Sequence, residues 1–250
     1  MKIKSINRKR KKNSPKGKGF FGLLLHKLFV LAKWIAILFF ASSLFFVILF
    51  KYVNPPVTTF MLYKATSDLF HGNKFKISKK WVPVENISPN MIRAVIASED
   101  NRFVDHWGID TKAIQEAVDH NKKGKRIHGA STISQQTAKN VFLWPSRTYI
   151  RKGLEFYFTM LIEFIWGKQR IMEVYLNVVE TGKGYYGVEK SARNNFNTSA
   201  SRLTESQAAL IAASLPSPRR YNPSKPGRYL MSRRDQIISL MYKIETLEIK

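Results

Sequence analysis

The stretch SPNMIRAVIASEDNRFVDHWG, Ser88 to Gly108, reads as a capped helix that turns a carboxylate toward its own core. Ser88 suits an N-cap and Pro89 the first helical position. Ile92, Val95 and Ile96 form an apolar stripe at helical spacing, Glu99 is its next member, and Phe103 resumes it. The spacing predicts a helix over 89–103. On such a stripe the charged form of Glu99 is poorly solvated, so its pKa is expected to rise. A carboxyl poised this way suits general acid or base work. The plainer alternative is a buried glutamate satisfied by Arg102 or His106. Asp100 crowds a second carboxylate into the same turn. His106 is placed to orient one of the two, and near Phe103 and Trp107 it is expected to be a structural hydrogen-bonder.

Outward from this stretch the pattern stays helical. A further helix is expected near Thr111–Asp119, then a polar loop over Asn121–Arg126. Thr132 and Gln135 match a capping box that opens another helix, and Thr204 and Gln207 match a second one. Arg147 to Trp166 reads as a long helix ended by Gly167, and Ile171 to Glu180 as the next. Glu173, Asn177 and Glu180 form one polar stripe on that last helix, which is expected to be its solvated face. GKGYYG, Gly182 to Gly187, lacks the lysine-serine/threonine ending of a P-loop and reads as a turn. Strand alternation is scarce, so the fold class is mainly α, with at most a small hairpin.

The chain has 250 residues, no cysteine and a formal net charge of +25. Disulfides, thiolate metal sites and a cysteine nucleophile are excluded. The charge implies an anionic partner: nucleic acid, a membrane surface or a phosphorylated substrate. Residues 1–33 are basic and contain no acid; Trp34 to Phe50, WIAILFFASSLFFVILF, is uncharged. With the apolar segments just upstream, this run is long enough to cross a bilayer of roughly 30 Å. It is too long for a cleaved signal peptide and ends at Lys51 without a small-x-small site. The expected organisation is a basic cytoplasmic arm at 1–33, a transmembrane helix at 34–50, a connector at 51–80 and one globular domain at 81–245. The positive-inside rule puts the N-terminus in the cytoplasm and everything after Lys51 outside. That topology disfavours a nucleic-acid partner, and no recognition module is identifiable.

Three further groups could carry chemistry. In GASTISQQTAKN, Gly129 to Asn140, the residues Gln135, Gln136 and Lys139 bring amide donors and an ammonium close to the same helix face. Gly129 and Ser131 free backbone N–H groups there, a combination that favours a phosphate or sugar. In SRTYIRKGLE, Arg147, Arg151 and Glu155 stand four apart, either a surface ladder of ion pairs or a cationic face for a pyrophosphate with a carboxylate beside it. The FYFTMLIEFIW run, Phe156 to Trp166, is too short to span a bilayer and is expected to be core rather than membrane-dipped. No HExxH, paired-histidine zinc spacing or GxSxG elbow is present, so no metal site is read from the sequence.

Together and in order, these segments resemble the bacterial peptidoglycan glycosyltransferases, glycosyltransferase family 51. The match is closest to the monofunctional biosynthetic transglycosylases, because no transpeptidase domain is expected after RRYNP, Arg219 to Pro223. The resemblance runs from about Asn54 through the motifs quoted above and RIMEVYLNVVETGKGYYGVEKSARNNF to SQAALIAASLPSPRRYNP. It implies a lysozyme-like, mainly helical domain with a head and a membrane-facing jaw. It implies that lipid II is polymerised into β-1,4 glycan strands, with inversion, on the outer face of the cytoplasmic membrane. The partners are then lipid II, a lipid-linked glycan chain, the membrane and other cell-wall synthesis proteins. By resemblance, Glu99 is the base and Glu155 the second catalytic glutamate, orienting the donor pyrophosphate or a divalent cation (Mg or Mn) bound to it. Lys139, Arg147 and Arg151 take the leaving-group role, and Ser131, Gln135 and Gln136 match sugar- or phosphate-contacting positions. Asp100, Phe103, His106 and Gly108 are expected to support the site. Ala130 stands where many relatives carry glycine. The rival readings are a membrane-anchored lysozyme-like hydrolase, which needs no pyrophosphate-binding cations, and a non-catalytic cell-wall scaffold, which needs neither glutamate.

Overall fold

The computed structural model describes residues 20–122, 124 and 129–244. Most of the basic arm, part of the 121–126 loop and the end of the expected domain at 245 lie outside the described residues. The chain divides into two units, Met1–Phe45 and Phe46–Lys250. The described part of the first belongs to one helix, α1 (Phe20–Tyr52), whose end reaches into the second. Phe21–Tyr52 is long and apolar enough to cross a membrane. This span is longer than the expected 34–50. The upstream FFGLLLHKLFVLAK segment is itself apolar, and Lys27 and Lys33 do not interrupt the backbone hydrogen bonding.

Within the second unit the connector is not a plain linker. Residues Thr59–Phe70 form α2, capped by Thr58, whose hydroxyl accepts from the Met61 N–H at 3.3 Å. The helix buries Met61 and Ala65. Ser78–Lys79 form β1, which runs parallel to β3 (Tyr185–Tyr186), itself antiparallel to β2 (Glu180–Gly182). The GKGYYG turn is thus the tip of the expected hairpin. The strand that joins it was not legible, because two residues carry no periodicity and their pairing partner is more than a hundred residues away.

The core is helical. The helix α3 (Pro89–Glu99) packs on α8 (Glu205–Ser214) and α9 (Arg228–Met241), while α5 (Ile133–Phe142) packs on α6 (Tyr149–Val178) and α2. Residues Ala208 to Ser214 of α8 are all buried, which its alanine-rich, all-round apolar sequence permits. α4 (Thr111–Lys122) buries none of its residues, and α7 (Val188–Phe196) follows the hairpin. All three anticipated caps are present. The Ser88 hydroxyl accepts from the Asn90 N–H at 3.3 Å, and Thr132–Gln135 and Thr204–Gln207 both close capping boxes. Gly167 (φ 76°, ψ 167°) breaks α6 where the sequence places a helix end, although backbone hydrogen bonding bridges the kink.

Two expectations need correction. α3 stops at Glu99 rather than running to 103; Asp100 leaves the helix (φ −164°) because both its carboxylate oxygens are engaged elsewhere. The Glu173–Asn177–Glu180 stripe is not a solvated face. Asn177 is buried and pairs its amide with both backbone groups of Val82 at 2.8 Å. Glu173 accepts from Trp81 Nε1 at 3.1 Å and from Arg170 at 2.6 Å, and buried Glu180 accepts from Arg219 at 2.6 Å. The polar stripe is an internal seam that joins α6 to the segment before α3 and to the loop after α8. Along 156–166 the outcome is mixed. Phe158, Ile162 and Trp166 are core, as expected, while Phe156, Met160 and Phe164 form an exposed apolar face.

Candidate active site

The site is built around the end of α3. The carboxylate of Asp100 accepts from His106 Nε2 at 2.9 Å and from the Ile133 N–H at 3.0 Å, one of the free donors of the α5 N-terminus. The Thr132 hydroxyl donates to the Gly108 carbonyl at 2.6 Å. The 100–108 turn is thereby fastened to the start of α5. From beneath, Lys168 donates to the His106 carbonyl at 2.6 Å and to Glu163 Oε1 at 2.7 Å, and lies 4.6 Å from the centre of the fully buried Phe103 ring. The break at Gly167 lies between Glu163 and Lys168, so this pair spans the kink of α6. The Ser134 hydroxyl donates to the same Glu163 oxygen. Asp100, Phe103, His106 and Gly108 are thus all in contacts that set the shape of this turn.

Held at the head of the turn, Glu99 is half-buried and borders a cavity of about 350 Å³. Ser98, Asn101, Asp110, Glu116 and the 129–132 segment line it. Gln136 donates its amide to Glu99 Oε2 at 2.8 Å. Burial pushes the Glu99 pKa up; the Gln136 hydrogen bond and the charges of Arg233 and Lys139 oppose the rise. The sequence expectation for Glu99 therefore holds in direction and cause, but neither Arg102 nor His106 is its partner. Arg102 pairs with Asp110, and His106 with Asp100.

Lys139 lies within electrostatic range of both Glu99 and a second carboxylate, Glu155. Desolvation of this half-buried ammonium lowers its pKa, while the charges of Glu155 and Glu99 pull it back up. It faces the Phe60 ring at 5.9 Å, and among the described residues it forms no ion pair. Glu155 is buried and held by Arg151 and Lys152, one on each oxygen. With Arg151 11% and Glu155 4% exposed in their side chains, this is no solvated surface ladder. Arg147 stands apart from it, exposed in the connection before α6.

The remaining residues divide. Gln135 is buried and its side-chain carbonyl accepts from the Thr132 N–H at 3.1 Å, so it serves the cap, while Gln136 faces Glu99. Ser131 is exposed on the rim of the cavity. A cation does not fit at Glu155, because both oxygens already carry protein cations. The ligating atoms of Asp100, His106 and Asp110 lie within 4.8 Å of one another. That group carries the Arg102 guanidinium and backbone N–H donors, which makes it a hydrogen-bonded latch and a poor metal site. Sequence reasoning missed Glu163, Lys168, Tyr175 and Arg233. Each reaches the turn or its glutamate from another helix, and only the polar character of Tyr175 on an apolar stripe hinted at a partner.

A half-desolvated carboxylate near a half-buried lysine that has no ion pair among the described residues, with a second anchored carboxylate beyond, defines a helical enzyme suited to moving a proton next to a developing anion. The chain belongs to the transglycosylase family, whose model matches residues 68–242. Its fold class is accordingly lysozyme-like and mainly α. It is 50% identical over 219 residues to a biosynthetic peptidoglycan transglycosylase of Bacteroides thetaiotaomicron, covering 88% of each chain. It is 50% identical over 212 residues to one of Bdellovibrio bacteriovorus, covering 84% of this chain and 85% of that one. Over 191 residues it is 49% identical to one of Caulobacter vibrioides, covering 76% and 81%.

Proposed function

We propose that this protein is a peptidoglycan transglycosylase that polymerises lipid II into β-1,4-linked glycan strands at the outer face of the cytoplasmic membrane. The observation that carries the reading is Lys139, half-buried, without an ion pair among the described residues, and within electrostatic reach of both Glu99 and Glu155. Glu99 takes the proton from the acceptor sugar's 4-hydroxyl as that oxygen attacks the donor's anomeric carbon. The bond from that carbon to the pyrophosphate oxygen breaks on the opposite face, and its electron pair leaves with undecaprenyl pyrophosphate. Lys139 and Arg151, set in place by the fold, and Arg147, exposed just before α6, are the cations that stabilise the charge building on the leaving group. Glu155, clamped by Arg151 and Lys152, holds Arg151 in place. Ser131 and Gln136 border the acceptor side of the cleft.

The membrane fits this chemistry, because substrate and product are both lipid-linked. The apolar span Phe21–Tyr52 supports single-pass anchoring, and the basic residues before it support a cytoplasmic N-terminus. The exposed face of Phe156, Met160 and Phe164 supports contact with lipid.

The test is polymerisation of labelled lipid II by the detergent-solubilised protein beside Glu99→Gln. The variant is expected to bind substrate and lose polymerisation by about 10²–10⁴-fold, the usual contribution of a general base. Near-normal strands from Glu99→Gln would remove Glu99 as the base. Cleavage of preformed glycan by the wild type, with no polymerisation, would make the protein a hydrolase.

A further inference from the structure

We infer that Tyr175 is a positioning residue for the proposed base: its hydroxyl pins the Gln136 side chain so that the amide NH₂ donates to Glu99 Oε2. The three groups form one line across three helices. The Tyr175 hydroxyl donates to Gln136 Oε1 at 3.3 Å, and Gln136 Nε2 donates to Glu99 Oε2 at 2.8 Å. Tyr175 is fully buried, on the inner face of α6. The Ser131 carbonyl takes a second, longer bond from Gln136 Nε2 at 3.4 Å, which agrees with the same orientation of the amide.

The chemistry of the amide gives this line its purpose. A glutamine beside a carboxyl group can serve either protonation state. Its NH₂ stabilises the anion, and its carbonyl, turned the other way, stabilises the neutral acid by accepting the acid proton. In this protein the carbonyl is already occupied by the Tyr175 hydroxyl. Turning the amide over would aim its NH₂ at the tyrosine oxygen, which can accept, but would leave the proton of a fully buried hydroxyl without the acceptor it has now. The tyrosine thus disfavours the arrangement that suits protonated Glu99 and favours the one that suits the base. Burial alone works in the opposite direction.

The other charged and titratable groups around Glu99 are accounted for. Arg233 on α9 reaches the Ser98 carbonyl at 3.5 Å, and its charge, like that of Lys139 on α5, favours the anion. Asp100 on the same turn opposes it. Asp110, Glu116 and His120 line the cavity from the α4 side. None of these depends on Tyr175 for its orientation, so removing the tyrosine hydroxyl isolates the Gln136 contribution.

This inference rests on Glu99 being the base, and the experiment separates the two. The pH dependence of kcat/KM for lipid II polymerisation would be measured for wild type, Tyr175→Phe, Gln136→Leu and the double variant. In Tyr175→Phe the acid limb is expected to move up by about half to one pH unit, with the high-pH plateau nearly kept. Below the limb the rate then falls about three- to tenfold, because the deprotonated fraction there drops about tenfold for every pH unit the limb moves. Gln136→Leu is expected to move the limb at least as far, and the double variant no further than Gln136→Leu alone. An unmoved limb in Tyr175→Phe with a uniformly lowered rate, or a displacement that adds to that of Gln136→Leu, overturns the inference. Titration of the Glu99 carboxyl by carbon-13 NMR in wild type and Tyr175→Phe reads the same displacement without turnover. If Glu99→Gln still polymerises, the base assignment fails while this titration still decides the relay. Should Tyr175→Phe not fold, an unmoved limb in Gln136→Leu overturns the inference by itself.

Discussion

Adding one methyl group at Gly108 should loosen the whole cleft. Gly108 sits at φ 73°, a left-handed conformation that costs a residue with a Cβ about 1–2 kcal/mol. A Cβ placed there would stand 2.6 Å from Thr159 Cγ2 and 2.9 Å from Glu163 Cγ. Both neighbours are buried on α6, and Glu163 is pinned by Lys168 and Ser134, so neither moves freely. Overpacking of this kind costs about 1–3 kcal/mol. The sum for Gly108→Ala is a loss of about 2–5 kcal/mol, which for a unit of this size lowers the Tm by about 5–15 °C. The assay is thermal unfolding of the full chain in one detergent, with Gly153→Ala as the contrast. Gly153 is helical, its added Cβ would meet nothing within 4 Å, and alanine there should stabilise by about 0.5–1 kcal/mol. A shift of the turn at Gly108 disturbs its Thr132 hydrogen bond, and a shift of Glu163 disturbs the Lys168 ammonium that braces His106, so polymerisation should fall at temperatures where Gly108→Ala is still folded. If Gly108→Ala melts within about a degree of wild type, the turn is not packed as described, and the account of how Glu99 is held fails with it.

Asn177→Ala should cost about 1–3 kcal/mol, because it strips both backbone groups of Val82 and the Glu173 carbonyl of a partner in a partly buried seam. Urea unfolding would check this, and a loss below about 0.5 kcal/mol would contradict the seam. Glu189 makes a second, pH-dependent case. Burial would raise its pKa, but the Ala200 N–H at 2.7 Å, Arg193 at 2.6 Å and Lys80 at 3.2 Å hold it below its ordinary value of 4.5. A depressed carboxylate stabilises the fold above its unfolded pKa and loses that contribution as pH falls through the folded one. The Tm gap between wild type and Glu189→Gln is therefore expected to be widest near neutral pH and to close below pH 4.5; a gap independent of pH would refute the assignment.

Features resting on chemistry within one turn of chain were legible in the sequence. The caps at Ser88, Thr132 and Thr204, the stop at Gly167 and the Arg151–Glu155 pair are local contacts, and spacing alone implies them. The direction of the Glu99 shift was legible for the same reason, since a carboxyl on an apolar stripe is desolvated whatever covers it. What covers a face was not legible. Periodicity put Glu173, Asn177 and Glu180 on one side of a helix but could not show that Trp81, Val82 and Arg219 would meet them there. Likewise the length of the apolar run 156–166 argued for core, but could not show that Phe156, Met160 and Phe164 stay uncovered.

The partner of Glu99 was hidden by the same limit, and its identity matters more than its position. Arg102 and His106 were the plausible local partners, and a charge-paired glutamate would be a poor base, because an adjacent guanidinium stabilises the anion at the expense of its proton affinity. The fold instead spends Arg102 on Asp110 and His106 on Asp100, and gives Glu99 a neutral amide from 37 residues away. A neutral donor orients the carboxylate while leaving the rise caused by burial largely in place. The two near side chains have other duties: Arg102 closes the start of α4 and His106 braces the turn. In this protein charged and hydrogen-bonded pairs build the frame, and Glu99, the half-buried acid proposed to do the chemistry, is held there by a neutral amide instead.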